Sequence, residues 1–144
     1  MYKRILVPLD GSRLAESVLP HAQALAKVEG AEIIILRVPA LPAAEIFTRA
    51  PGMVSIINKD LEEEAETYVN DKVAYLTDEH IKAKGITKDG PAPDAILSVA
   101  EEAHADLIAM STHGWTGVKR WLLGSVADKV VHHAHVPVML IHPK

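Results

Sequence analysis

The chain has 144 residues, 49% of them hydrophobic and 24% charged, with a net charge of −4 and no cysteine. At roughly 150 residues per domain this predicts one domain spanning 1–144, long enough to bury a core without covalent staples. The missing cysteines exclude disulfides, thiolate metal sites, iron–sulfur clusters and thiol nucleophiles. The acidic balance and the 4% aromatic content argue against nucleic-acid binding by phosphate neutralisation or base stacking.

In chain order, Ile5–Leu9 is an uninterrupted apolar run closed by Asp10-Gly11-Ser12. Apolar residues without polar alternation predict a strand buried on both faces. Ser12 suits a helix N-cap, and Leu14, Val18, Ala22, Leu25 and Ala26 recur at helical spacing, with a kink expected at Pro20 and an end at Gly30. Glu32–Val38 is a second buried strand rich in β-branched residues. Pro39 to Asn58 holds Pro39, Pro42, Pro51 and Gly52 and reads as a long loop with at most a turn of helix. Lys59–Lys84 reads as a long helix with Leu61, Ala65, Tyr68, Val69, Lys72, Leu76, His80 and Ile81 on one stripe; Glu62, Glu63 and Glu64 read as its solvated face.

Gly85–Lys88 leaves room for only a very short strand. Asp94 is the expected cap of a helix running to Ala103, and Asp106–Ser111 is the next buried strand. A Gly-rich segment, His113–Ser125, leads to a helix over Val126–Ala134, with Val126, Val130 and Val131 inward. Val136–Ile141 is the last strand. Pro137 cannot donate within a central ladder, which places that strand at an edge. No run of apolar residues approaches the ~20 needed to cross a bilayer. No signal-peptide pattern opens the chain, so a cytoplasmic protein with no membrane partner is expected.

This alternation predicts an α/β fold, a parallel sheet with helices on both faces. Ligands of such sheets bind outside the carboxyl ends of the strands, where strand order reverses. Those ends are Leu9–Ser12, Val38–Pro39 and Met110–Gly114. Ser111-Thr-His-Gly114, nine residues, and Gly124-Ser125 form the densest signal. Glycine lets a backbone approach a ligand, and the free amides near Gly124, Ser125 and Val126 suit an anion. Asp10 is a carboxylate at the same end, able to accept from a ribose diol or to stand near a divalent cation. His113 is a candidate ligand contact, and Lys119 and Arg120 could reach phosphates. His132, His133, His135 and His142 do not have the spacing of a metal cage. No P-loop, G-x-G-x-x-G or G-x-S-x-G motif is present.

The opening Ile5-Leu-Val-Pro8-Leu-Asp10-Gly-Ser12 and the stretch from Asp106 to Pro143 resemble the universal stress protein family. That family's ATP-binding members carry G-x2-G-x9-G-[ST], whose four places fall on Ser111, Gly114, Gly124 and Ser125, with serine replacing the first glycine. The resemblance implies a five-stranded parallel sheet of order 3-2-1-4-5, Rossmann-like and of the adenine nucleotide alpha hydrolase type. It implies an adenine contact at Val38, a ribose carboxylate at Asp10 beside Pro8 and Leu9, and backbone contacts from Met110, Ser111, Gly114, Gly124, Ser125 and Val126. The implied ligand is ATP, or ADP or AMP, with Mg²⁺ accompanying the nucleotide. The implied assembly is a homodimer paired through Val136–Ile141. The function expected is regulatory binding in a stress response. A slow ATPase using the same site, or a dimeric interaction module without nucleotide, are the alternatives; the residues form no complete catalytic constellation.

Overall fold

Ile5, Leu6 and Val7 are all fully buried although they are consecutive, so the first strand, β1 (Arg4–Leu9), is covered on both faces. The computed structural model describes residues 1–39, 51–112 and 124–143. After β1 come α1 (Arg13–Glu16), α2 (Leu19–Glu29), β2 (Glu32–Arg37), α3 (Pro51–Asp78), β3 (Ala83–Thr87), α4 (Ala92–Glu102), β4 (Leu107–Ser111), α5 (Ser125–His133) and β5 (Val138–Ile141). The strands form one parallel sheet of order β3-β2-β1-β4-β5. The chain builds outward from β1 to β3, then returns to lay β4 on the other side of β1. Strand order therefore reverses between β1 and β4.

Strand alternation divides the core in two. Ile5, Val7, Leu9, Ile33, Ile35, Leu107 and Ala109 meet Ala15, Val18, Ala22, Ala26, Val69 and Leu76 of α1–α3 and the α1–α2 junction. Leu6, Ile34, Leu36, Ile108 and Met110 meet Ile96, Val99, Ala127 and Val130 of α4 and α5.

Several boundaries differ from the sequence expectation. The kink at Pro20 is a full break: α1 ends at Glu16, and Pro20 lies in the first turn of α2, where a missing N–H costs nothing. Gly30 closes α2 in the left-handed region, φ 67°. Of the expected Pro39–Asn58 loop, 40–50 lie outside the described residues and 51–58 are helical. Pro51 is the first residue of α3, the helix position that tolerates proline best. The same helix stops at Asp78, short of Lys84. His80 adopts φ 63° and Ile81 N–H donates back to the Leu76 carbonyl at 3.0 Å, a left-handed stop made without glycine. The residues so released form β3, which starts at Ala83 and has five residues.

Helix α4 starts at Ala92 with Pro91 in the cap position. Asp94 is in its first turn, favourable to the helix dipole, and does not cap it. Val130 is buried, but Val131 is 40% exposed: adjacent helical residues lie about 100° apart and cannot both face the core. β5 begins at Val138, at the sheet edge, with the Pro137 carbonyl accepting from Ile108 N–H at 3.0 Å. Among the described residues, no helix is long and apolar enough to cross a membrane.

Candidate functional site

A cavity of about 230 Å³ opens at the carboxyl ends of β1, β2 and β4. Pro8 and Leu9 approach it from β1 and Asp10 from the turn that follows, Val38 from just past β2, Met110 and Ser111 from β4, and Gly124, Ser125 and Val126 from the start of α5. The strand-order reversal places these segments side by side. Two further residues singled out from the sequence, His113 and Gly114, lie outside the described residues, as do Lys119 and Arg120.

The β1–α1 turn is held by a small hydrogen-bond set. Asp10 Oδ1 accepts from Ser12 N–H at 2.9 Å and from the Ser12 hydroxyl at 2.6 Å. The same hydroxyl oxygen accepts from Ala15 N–H at 3.1 Å and caps α1. Ser12 thus works in both directions: it starts the helix and orients the carboxylate at the cavity mouth. Gly11 turns the chain at φ 91°, a conformation that side chains disfavour.

Opposite Asp10, α5 is preceded by its cap residue Gly124, so no side-chain hydrogen bond caps the helix. The first amides of a helix have no partner within the helix, and here they stand at the cavity edge. Gly124 also ties the cap of α5 to the end of β4, donating its N–H to the Thr112 carbonyl at 2.9 Å. Thr112 N–H in turn donates to the Ile141 carbonyl at 3.0 Å. Thr112 Oγ1 lies 3.4 Å from His142 Nδ1. The site is therefore tied to β5 at the sheet edge.

The cavity also takes in Ala15, Leu36, Ala92, Ile96, Thr112 and Ala127, which sequence reasoning missed. Two signals could have found some of them. Leu36 is two residues before Val38 and shares its side of the strand. Ala92 and Ile96 are four apart on one helix face. Most of these residues make the interior apolar, with Asp10, Ser111, Thr112 and Ser125 contributing the polar part of its lining. Among the described residues, no three His, Asp or Glu side chains are grouped so as to hold a metal ion.

On the α1–α3 face, just behind Asp10, lies a polar cluster. The Arg37 guanidinium donates to both carboxylate oxygens of Glu64, with Nη1–Oε1 3.2 Å and Nη2–Oε2 3.1 Å. It stacks over the Tyr68 ring with its central carbon 5.0 Å from the centroid. The Tyr68 hydroxyl donates to Glu16, whose other oxygen pairs with Lys72 Nζ at 3.1 Å. Burial, and then the hydrogen bond to Glu16, push the Tyr68 pKa well above its ordinary value.

The family model "Universal stress protein family" matches residues 1–142. Universal stress protein MJ0577 of Methanocaldococcus jannaschii is 32% identical, with 100% of this chain and 97% of that protein covered. MJ0531 of the same organism is 34% identical, covering 98% of this chain and 82% of that protein. The solved structure of MJ0577 superposes with a TM-score of 0.88 over 100% of this chain and 98% of its own, at 33% identity. The chain belongs to the universal stress protein family. Two more distant structures share the fold: a universal stress protein in complex with cAMP (TM-score 0.64, 22% identity, covering 99% of this chain and 98% of its own), and an Arabidopsis thaliana family member with AMP bound (TM-score 0.71, 15% identity, covering 99% and 92%).

Proposed function

We propose that the cavity binds an adenine nucleotide, ATP before ADP or AMP, and that the chain acts as a homodimeric regulatory binding protein of the stress-response type. One observation carries this reading: a single cavity at the strand-order reversal gathers an apolar interior, a carboxylate at its mouth and a helix N-terminus at its edge. Each part matches one part of a nucleotide. Val38, Leu36, Ile96 and Met110 offer the base an apolar slot, as small-molecule sites do. Asp10 accepts from the ribose hydroxyls. The amides of Ser125 and Val126 receive phosphate oxygens, where the helix dipole adds to the hydrogen bonds. Mg²⁺ would come with the phosphates, since the ion is usually held by phosphate oxygens and one or two carboxylates. The AMP and cAMP held by the two distant structures agree with this ligand class.

Ser111 replaces a glycine of the motif and is buried, with 7% exposure. Alternation puts its side chain on the face of Leu107 and Ala109, opposite Met110, so the Cβ points away from the apolar slot. The edge position of β5 supports the dimer, because an uncovered strand edge is a template for pairing with a second copy.

Calorimetric titration of ATP, ADP, AMP and GTP tests the ligand. The expected result is micromolar binding of the adenine nucleotides and none of GTP. Sedimentation velocity tests the assembly, with a dimer expected and a monomer contradicting it.

A further inference from the structure

Among the described residues, Arg37 is the only charged side chain that is buried, at 7% exposure. Register explains its place. Arg37 pairs with Leu9 across β2 and β1, one residue before Asp10. Alternation carries its side chain to the face of Ile33 and Ile35, opposite Leu36 and the apolar slot. There the guanidinium reaches beneath the Asp10–Ser12 turn. A Cβ built on Gly11 would lie 3.0 Å from Arg37 Nη1, so the turn rests on the guanidinium and glycine is what lets it do so. The other side of the guanidinium is fixed to α3, by the two-pronged pair with Glu64 and by the Tyr68 ring. A planar guanidinium held at both terminal nitrogens is a rigid support, which a flexible ammonium would not be. The charge of Asp10 is felt at Tyr68, where it contributes to raising the hydroxyl's pKa.

We propose that Arg37, clamped by Glu64, is a positioning residue that sets the Asp10 carboxylate for the ribose hydroxyls and thereby ties sugar recognition to helix α3. This rests on the reading of Asp10 as the ribose acceptor. Arg37 touches no ligand on this account. It acts through the turn, and the hydroxyl-dependent part of binding is what it controls.

The test compares ATP with 2′,3′-dideoxy-ATP, which lacks both hydroxyls, in wild type, Asp10→Ala, Arg37→Met and Glu64→Gln. Wild type is expected to prefer ATP by about tenfold, the worth of a charge-assisted hydrogen bond, and Asp10→Ala to abolish the preference. Arg37→Met is expected to cut the preference to about twofold while holding dideoxy-ATP affinity within about twofold of wild type, because only the carboxylate's aim is lost. Glu64→Gln leaves Arg37 in place but loosens its anchor. Glu64 is half exposed, so this variant folds even if Arg37→Met does not, and its preference is expected to fall between the two. A preference lost in Asp10→Ala but kept in Arg37→Met and Glu64→Gln overturns the positioning role alone. An Arg37→Met variant that loses both ligands equally overturns it too. Wild type that binds neither ligand, or a preference that survives Asp10→Ala, overturns the ribose reading and the positioning role with it.

Discussion

Gly124 donates its N–H to the Thr112 carbonyl oxygen at 2.9 Å, and a Cβ on Gly124 would stand 2.4 Å from that same oxygen. This glycine is required by the close approach of the α5 cap to the end of β4, whatever binds beside it. Gly124→Ala is expected to cost about 1–3 kcal/mol, the range for inserting a methyl group where none fits. Urea denaturation checks this; unchanged stability would show that the contact relaxes freely. A bulky residue at Gly124 is therefore a poor probe of ligand contact, because it disturbs the fold first.

Ser125 is the cleaner probe. It is exposed at the first position of α5, and its hydroxyl adds to the amides there. Ser125→Ala is expected to change stability by less than about 0.5 kcal/mol, as at ordinary surface sites. ATP affinity should fall by about three- to tenfold, the worth of one hydrogen bond. Adenosine, without phosphates, should bind both proteins equally.

Gly85 marks where α3 presses on β3. A Cβ there would lie 1.9 Å from Val69 Cγ1, and Val69 is 3% exposed. Gly85→Ala should destabilise the protein by about 2–3 kcal/mol through overpacking. Adding Val69→Ala should restore part of the loss by making room, a coupling that a double-mutant cycle reads directly.

Tyr68 is expected to shape stability at high pH. Its folded pKa lies above the ordinary value of 10.0. A phenol held protonated in the fold contributes stability that is complete below pH 10, the unfolded value, and is lost as pH rises above it. Tyr68→Phe cannot titrate, so the gap between wild type and variant should be constant below pH 10 and narrow above it. Denaturation at pH 8, 10 and 11 checks the sign; a gap that widens with pH would contradict it.

The sheet was readable in the sequence because its central strands are buried on both faces. Ile5–Leu9 and Ile33–Leu36 need no alternation, and their unbroken apolar runs stand out. The place of the cavity was readable for the same reason, since the polar and glycine residues following β1 and β4 interrupt those runs abruptly. Other features depend on tertiary geometry. His80 and His104 end α3 and α4 with φ 63° and 54°, where glycine or asparagine would have announced a stop. Pro51 looked like part of a loop because proline permits a helix start as well as breaking one. Arg37 and Glu64 are 27 residues apart, and only the crossover from β2 to α3 brings them together.

The proposed role of Asp10 is to hold a nucleotide at the carboxyl end of the sheet. The most direct measurement is calorimetric titration of ATP with Mg²⁺ into wild type beside Asp10→Ala, after a check for co-purified nucleotide. The expected result is micromolar binding in wild type, weakened by about 10- to 100-fold in the variant, corresponding to the 1.5–3 kcal/mol of hydrogen bonds to a charged group. Equal affinity in the two proteins, or no heat and no bound nucleotide in wild type, would contradict it.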